Sequence, residues 1–267
     1  MKQKISITID EKALEGIDST IDNLFIRNRS QAIEYLVKSS LGERKTAVIL
    51  AGGEEENLKI EEGIYCLTAR IKGTTVVEKA ARKLRENGFR DIYIIARHNI
   101  LTQVFNILRD GNSHSVKINY VEEKASKGTA STLKLLKGKI NTRFLIVYSD
   151  IIFDKVNIDE LWSQHTKNNA VATIMLTTSA KPQEKGTVKM EGNKILEFVQ
   201  KPKQSDIHLV FSPIIAAEPE LLEQEGNSLE YDVFPKLAEK GLLQGHVSSE
   251  KERHIHTKAD IKIKEIK

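Results

Sequence analysis

Cysteine is almost absent from this chain, and no long apolar run interrupts its polar residues. The single cysteine, Cys66, excludes a disulfide within the chain and is typical of a reducing compartment. No apolar segment approaches the ~20 residues that span a bilayer, and the N-terminus lacks a signal-peptide pattern. The net charge of +4 is too mild to indicate nucleic-acid binding by itself. These absences predict a cytoplasmic protein without a membrane partner.

The composition predicts a globular protein with two parts. Apolar residues make up 40 % of the chain and charged residues 29 %, which is ordinary for a folded domain. The 267 residues accommodate one domain of usual size and one small one. Gly42 can end a helix, and an apolar strand follows without a Gly/Ser-rich or Pro-rich linker. We therefore divide the chain into residues 1–44 and residues 45–267.

The first part has the pattern of one strand followed by two helices. Ile5, Ile7 and Ile9 alternate with polar residues, which predicts a strand with one apolar face. Asp10 can cap a first helix, and Ser30 can cap a second one. A unit this small cannot bury its apolar surface alone, and its strand needs a partner. We therefore expect a homodimer in which two copies of the strand pair.

This order of elements, with the stretch RNRSQAI opening the second helix, resembles the ribbon-helix-helix family of transcription factors over residues 2–42. The resemblance implies that the paired strands enter the major groove of DNA and that the second helix meets a phosphate. The residues that it assigns to DNA binding are Lys2, Lys4, Ser6, Thr8, Arg27, Asn28, Arg29 and Ser30. The simpler alternative is a dimerisation element whose polar face is only solvated.

The second part alternates between apolar runs and helical patterns. The runs that we predict as strands are 47–51, 92–96, 144–148 and 171–176. Such alternation is typical of an α/β domain with a mainly parallel sheet and helices on both faces. Ligands bind at the carboxyl ends of the strands in these sheets. Gly52 and Gly53 follow the first run, and Asp150 follows the third, so these residues are expected at the ligand site.

Six motifs occur in an order that resembles the sugar-1-phosphate nucleotidylyltransferases. They are AVILAGG (47–53), KGTAS (127–131), YSD (148–150), KGTV (185–188), LEFVQKPK (196–203) and EYDVFPKLAEKG (230–241). The resemblance implies a Rossmann-like nucleotidyltransferase domain with a mixed, mainly parallel sheet. It also implies a glycine turn for a nucleoside triphosphate, a base pocket, a cation-binding aspartate and a sugar site. The ligand-binding residues that it assigns are Ala51, Gly52, Gly53, Gly128, Thr129, Ala130, Asp150, Gly186, Gln200 and Lys201.

The chain departs from this family where the chemistry takes place. Glu55 and Glu56 stand where the family has the start of a Gly-Thr-Arg run, and a family lysine falls at Cys66. His254 replaces the second metal-binding aspartate. Glutamates beside a triphosphate repel it, and each lost electrostatic contact lowers the rate by ~10²–10³. On these grounds we expect no catalysis and assign no catalytic residue.

The sequence by itself assigns no metal ligand. His254 and His256 alternate along a predicted strand and could bind a transition metal together with Asp150. A surface pair is the simpler interpretation of the two histidines. Mg²⁺ at Asp150 is the one cofactor that the resemblance allows.

The hypothesis from the sequence is a homodimeric, DNA-binding transcription regulator. In this hypothesis the catalytically degenerate nucleotidyltransferase-like domain senses a nucleotide, sugar nucleotide or sugar phosphate. One alternative is an active sugar-1-phosphate nucleotidylyltransferase that also binds DNA and uses Lys59 or Lys72 as its cation. The other is a body that binds no ligand and only sets the geometry of the assembly.

Overall fold

The computed structural model describes residues 5–21, 26–40, 45–125 and 127–262. The chain divides into two compact units, Met1–Arg44 and Lys45–Lys267. None of the described helices is long and apolar enough to cross a membrane.

The described helices of the first unit are α1 (Glu11–Asp18) and α2 (Arg29–Ser40). Asp10 caps α1 as expected, because its carboxylate accepts a hydrogen bond of 3.0 Å from the backbone N–H of Ala13. The expected cap of α2 was wrong by two positions. The side chain of Asn28 accepts from the backbone N–H of Gln31 at 3.0 Å, and Ser30 lies inside the helix.

Residues 5–10 form no strand within the described part of this chain. The side chains of Ile5 and Ile7 are 74 % and 53 % exposed. An extended segment is classed as a strand only when a second strand pairs with it, so a single chain cannot show the expected pairing. The pairing of two copies stays a prediction.

The second unit contains the remaining helices and a series of strands. The helices are α3 (Glu55–Leu58), α4 (Val76–Glu86), α5 (His98–Leu108), α6 (Thr129–Leu133), α7 (Ile158–Lys167), α8 (Phe234–Glu239) and α9 (Lys258–Lys262). The strands are β1 (Lys45–Ala51), β2 (Lys59–Glu61), β3 (Ile64–Tyr65), β4 (Arg70–Ile71), β5 (Thr74–Thr75), β6 (Phe89–Ala96), β7 (Lys117–Glu122), β8 (Phe144–Tyr148), β9 (Ile151–Ile152), β10 (Ala172–Thr178), β11 (Gly186–Glu191), β12 (Lys194–Gln200), β13 (Leu209–Ala217), β14 (Leu243–Val247) and β15 (Arg253–His254).

A nine-stranded mixed sheet organises this unit, in the order β10-β14-β12-β11-β13-β8-β1-β6-β7. The half formed by β8, β1, β6 and β7 is parallel. In the other half β13 runs antiparallel to β8 and β11, and β12 runs antiparallel to β11 and β14. The predicted mixed α/β sheet is therefore confirmed, but "mainly parallel" describes only one half of it.

The core lies on both faces of the sheet. Along β1, Ala47 and Ile49 pack on one face with α4 and α5, while Val48 and Leu50 pack on the other with α6 and α8. A central strand that is buried on both faces reads as a continuous apolar run, which is why AVILA was recognisable as a strand.

A short antiparallel pair, β9 with β15, joins the C-terminal segment to the end of β8. In this pair His254 lies opposite Ile151. The pairing places the C-terminal histidines next to Asp150, which precedes β9 in the chain. Residues about a hundred positions apart therefore meet at the carboxyl end of the parallel strands.

Candidate active site

The glycine turn after β1 and the turn after β8 lie side by side at the carboxyl end of the sheet. The backbone N–H of Ser149 donates to the carbonyl of Leu50 at 3.0 Å, which joins the two strand ends. Gly52, Gly53 and Asp150 are thereby held at neighbouring positions. This is the sheet edge at which α/β proteins bind ligands.

A buried carboxylate accepts a hydrogen bond from the glycine turn and holds the turn in place. The backbone N–H of Gly53 donates to Glu123 Oε2 at 2.7 Å, and the hydroxyl of Thr132 donates to Glu123 Oε1. Glu123 is only 2 % exposed. A Cβ atom on Gly52 would lie 2.4 Å from the methyl group of Thr132, so α6 approaches the turn too closely for any side chain.

The glutamates that follow the turn contact polar side chains from other elements. Arg97, which follows β6, donates to the carbonyl of Gly53 at 3.3 Å and to the carboxylate of Glu54 at 3.3 Å. Glu55 accepts from the Tyr65 hydroxyl at 3.3 Å. Arg97 therefore brings a positive charge to the turn from a neighbouring strand, where the sequence argument had counted only residues of the loop itself.

A cavity of about 510 Å³ opens beside these strand ends. Four of the predicted ligand residues border it: Asp150, Gly186, Gln200 and Lys201. The other predicted ligand residues, Ala51–Gly53 and Gly128–Ala130, do not border this cavity. The structure thus brings together the residues expected for the sugar and the cation, with the glycine turn at the adjoining strand end.

Tyr148 and Glu230 border the cavity as well, and the sequence did not assign them to the site. The Tyr148 hydroxyl donates to Glu230 Oε1 at 2.5 Å, and the hydroxyls of Thr129 and Ser228 donate to Oε2 at 2.7 and 2.8 Å. Burial and the Glu230 charge raise the pKa of Tyr148 well above its ordinary value. This network connects the KGTAS motif (127–131) to the cavity. Glu230 is the first residue of the motif EYDVFPKLAEKG, and this motif could have identified it as a site residue from the sequence.

Lys185 and Lys201 supply positive charge at the cavity. Lys201 directly follows β12 and has a left-handed backbone with φ of 46°. Lys185 directly precedes β11, and its Nζ atom lies 3.5 Å from Glu252 Oε1. Lys185 opens the KGTV motif but was not assigned to the site, because no local spacing shows that Lys185 and Glu252 meet.

Glu252 lies beneath His254 and is buried, with a side chain that is 2 % exposed. The Ser212 hydroxyl donates to Glu252 Oε2 at 2.7 Å, and His254 Nε2 lies 3.1 Å from Oε1. Burial opposes the charge of this carboxylate, yet the hydrogen bonds from His254 and Ser212 outweigh burial and lower the pKa of Glu252 to about 2. Glu252 is therefore ionised and can only accept, so His254 carries a proton on Nε2.

His254 also faces Asp150, and His256 lies against it. His254 Nδ1 is 3.5 Å from Asp150 Oδ2, and His256 Nε2 is 3.6 Å from the same oxygen. The two imidazole rings stack with centroids 5.6 Å apart. Burial disfavours the charged ring, but the hydrogen bonds to Asp150 and Glu252 prevail and raise the pKa of His254 to about 9.

The three side chains form a donor set that fits a metal ion. One ligand atom each from Asp150, His254 and His256 lies within 4.8 Å of the others. The two histidines, interpreted from the sequence as a surface pair, lie beside Asp150, and metal binding by them stays a prediction. A divalent cation at Asp150, which the resemblance allowed, is compatible with this arrangement.

Cys66 has no catalytic environment. Its side chain is buried, and its thiol contacts the carbonyl of Ile255 at 3.1 Å. Burial, together with the charge of Asp150, raises the pKa of Cys66 to about 12, so the thiolate is not available near neutral pH.

The residues predicted to bind DNA lie in the first unit. Lys2 and Lys4 fall outside the described residues, and the rest of the set, Ser6, Thr8, Arg27, Asn28, Arg29 and Ser30, is exposed. Arg29 forms a two-point ion pair with Asp18, with distances of 2.7 and 2.8 Å. Contact of these residues with DNA stays a prediction.

A family model described as "Nucleotidyl transferase" matches residues 46–251. The chain belongs to the nucleotidyl transferase family. The nucleotidyltransferase part of the sequence resemblance is thereby confirmed, while a ribbon-helix-helix domain is not shown.

Two curated relatives carry names of the same kind. The chain is 30 % identical over 164 residues to the mannose-1-phosphate guanyltransferase of Yarrowia lipolytica, which covers 58 % of this chain and 45 % of the relative. It is 24 % identical over 196 residues to a putative mannose-1-phosphate guanyltransferase of Sulfolobus acidocaldarius, covering 72 % of this chain and 54 % of that protein. The chain therefore spans about half the length of the curated relatives that it matches.

A solved structure has the same fold. It is a putative glucose-1-phosphate thymidylyltransferase from Bacillus anthracis in complex with a sucrose, with a TM-score of 0.69. The match covers 81 % of this chain and 92 % of that one, at 20 % sequence identity. Similarity at this level supports the fold.

The hypothesis of a DNA-binding regulator with a catalytically degenerate domain is contradicted by these comparisons. The relatives are named as nucleotidyl-transferring enzymes rather than as regulators. The prediction was wrong because it left out positively charged residues that are distant in the sequence from the glycine turn. The loop after Gly53 contributes few cations, whereas Arg97, Lys185 and Lys201 reach the strand ends from other elements.

Proposed function

We propose that this chain is an enzyme that transfers a nucleotidyl group from a nucleoside triphosphate to a sugar 1-phosphate and releases pyrophosphate. The observation that carries the proposal is the cavity at the strand ends, where two lysines and Asp150 converge within a nucleotidyl transferase fold. The names of the mannose-1-phosphate guanyltransferases support the substrate class.

The reaction needs charge neutralisation more than acid–base groups. A phosphate oxygen of the sugar phosphate attacks the α-phosphorus, the bond from that phosphorus to the bridging oxygen breaks, and pyrophosphate leaves with the electron pair. Two anions must meet, so fixed cations at the reacting phosphates lower the barrier. Lys201 and Lys185 are the residues that we assign to this role. A divalent ion bound at Asp150, with the two histidines, would neutralise further phosphate charge.

The sugar is assigned to the part of the cavity lined by Gln200. The Oε1 atom of Gln200 is buried and has no hydrogen-bond partner among the described residues. A sugar hydroxyl that donates to this oxygen would satisfy it. Gly186 lies beside it, and a Cβ atom at Gly186 would lie 2.7 Å from the same oxygen. We place the triphosphate at the glycine turn, with Arg97 beside it.

The test is pyrophosphate release by the purified chain, with each of the common nucleoside triphosphates and with mannose 1-phosphate or glucose 1-phosphate. We expect turnover with one pair and recovery of the matching nucleotide sugar. Lys201→Gln should lower kcat/KM by ~10²–10³, as the loss of one electrostatic contact does.

Lys189→Gln is the matched control, because Lys189 pairs with Glu197 on the exposed hairpin of β11 and β12. It should retain the activity of the unmodified chain. Absence of nucleotide-sugar formation with every substrate pair would contradict the proposal.

For the first unit we propose dimerisation. Ile5 and Ile7 present exposed apolar side chains on a segment that has no strand partner among the described residues. Pairing of this segment with a second copy would cover both isoleucines and satisfy the backbone groups of the strand. Dimerisation requires no DNA contact and is compatible with an enzyme.

A further inference from the structure

We infer that Asp150, His254 and His256 bind a divalent transition-metal ion, of the class of Zn²⁺, Co²⁺ and Ni²⁺, in preference to Mg²⁺. The inference deepens the proposed function and rests on it for the role of the ion in transfer. Binding itself follows from the arrangement of these side chains and can be measured without any substrate.

The two distances from the Asp150 oxygen to the histidine nitrogens are those expected between ligands of one metal ion. Atoms bound at ~2.1 Å in tetrahedral geometry are about 3.4 Å apart. The distances from Asp150 Oδ2 to His254 Nδ1 and to His256 Nε2 are 3.5 and 3.6 Å. Small side-chain adjustments therefore suffice for an ion between these atoms.

The backbone holds the three ligands in place. The backbone N–H of Ile255 donates to the carbonyl of Asp150 at 2.8 Å, so the histidines on either side of Ile255 are fixed beside the aspartate. The backbone N–H of His256 donates to Asp260 Oδ2 at 3.0 Å, which anchors the following turn. A preformed set of ligands loses little conformational freedom when an ion binds.

Glu252 orients the metal-binding ring. It accepts the Nε2 proton of His254, so a metal ion would bind at Nδ1 in place of the proton that faces Asp150. Glu252 is itself tied to Ser212 and buried. A carboxylate that accepts from the far nitrogen of a ligating histidine is a usual companion of protein metal sites, and a surface pair of histidines has no need of one.

The donor types decide between metals. Mg²⁺ prefers oxygen ligands in a near-octahedral arrangement, whereas imidazole nitrogens favour Zn²⁺, Co²⁺ and their neighbours. Here two of the three donors are imidazoles. Three protein ligands also leave coordination positions open for phosphate oxygens. His254, which the sequence argument counted as a lost metal ligand, thus changes which metal binds.

The experiment measures metal binding to the full chain after chelator treatment. We expect visible absorption bands on addition of Co²⁺, and an affinity for Zn²⁺ at least about 100-fold above that for Mg²⁺ by calorimetry. His256→Asn should abolish the bands and the tight Zn²⁺ binding. This side chain is 57 % exposed, so its replacement leaves the core intact.

His208→Asn is the matched control, because His208 is exposed and contacts the carbonyl of Ser179 outside the cluster. It should retain both the bands and the affinity. Glu252→Gln, which acts through His254 as a positioning change, should weaken Zn²⁺ binding ~10–100-fold and shift the Co²⁺ spectrum. His254→Asp should reduce the preference for Zn²⁺ over Mg²⁺.

Zn²⁺ and Co²⁺ that bind no more tightly than Mg²⁺, or that bind His256→Asn as well as the unmodified chain, would overturn the inference. Tight binding that depends on His256, without nucleotide-sugar formation under any metal, would uphold the metal site and count against the proposed function. The two failures are therefore distinguishable.

Discussion

At the scale of single residues, two carboxylates take their chemical role from the side chain that each one contacts. Glu54 lies in the loop that the sequence argument treated as repelling phosphates, yet Arg97 reaches its carboxylate from the end of β6. Glu252 received no role from the sequence, and it proves to hold the proton of His254. The partner of Glu54 is 43 positions away in the sequence, and the partner of Glu252 is 2 positions away.

His165 is a residue whose titration should be visible in stability. It is fully buried in α7, and its Nδ1 atom lies 2.9 Å from the Thr173 hydroxyl. Burial, with the charge of Arg143, lowers the pKa of His165 from 6.5 to about 4. The unfolded chain therefore binds this proton first as the pH falls. Above about pH 6.5 the titration of His165 does not lower the free energy of unfolding. Between about pH 6.5 and about pH 4 it lowers that free energy progressively, by roughly 3 kcal/mol in total.

Urea unfolding across this range checks the effect. The unmodified chain should lose stability as the pH falls, and His165→Asn, although less stable at neutral pH, should show a flatter profile. His208→Asn, which changes an exposed histidine, should keep the slope of the unmodified chain. An unchanged slope in His165→Asn would show that other groups cause the acid sensitivity.

At the scale of elements, the glycine turn after β1 depends on the close approach of α6. Gly52→Ala would place a Cβ atom 2.4 Å from the Thr132 methyl group and 3.0 Å from the Glu123 carboxylate. Because Thr132 is a stiff, buried side chain, the turn must move and its bond to Glu123 weakens. We expect a loss of ~1–3 kcal/mol in unfolding free energy, the usual cost of overpacking, together with loss of transferase activity.

Gly192→Ala separates this packing effect from backbone strain. Gly192 lies on the hairpin of β11 and β12 with φ of 56°, and among the described residues no neighbouring group comes within 4 Å of the position that its Cβ atom would take. Its replacement should cost ~1 kcal/mol through the left-handed backbone alone and leave the activity intact. Equal activities of the two variants would mean that the turn after β1 takes no part in binding the triphosphate.

At the scale of the whole molecule, dimerisation through residues 5–9 gives a prediction about mass. Light scattering after size exclusion should show a dimer for the unmodified chain. The double change Ile5→Glu with Ile7→Glu should give a monomer, because it puts charge on the face that a second copy would cover. Ser6→Glu with Thr8→Glu adds the same charge at the alternating positions and should remain dimeric. A monomeric unmodified chain, or a dimer that survives the isoleucine changes, would rule out this assembly.

Much of the fold could be predicted because its central elements carry strong local patterns. The sequence runs that form β1, β6, β8 and β10 are continuous and apolar. This pattern is typical of strands that are buried on both faces of a sheet. The strands β11 and β12 were not predicted, because they mix apolar and polar residues and their order in the sheet is set by distant pairings.

The family and the positions of its motifs could be recognised from the amino-acid sequence alone, because contiguous residues carry both. Of the ligand residues predicted from the motifs, Asp150, Gly186, Gln200 and Lys201 border one cavity, and their binding of a ligand stays a prediction. Only the tertiary structure decided which groups join them. Arg97, Lys185, Glu252 and the two histidines come from separate strands and loops, and long-range strand pairing, which leaves no periodic signal in the chain, determines that they meet.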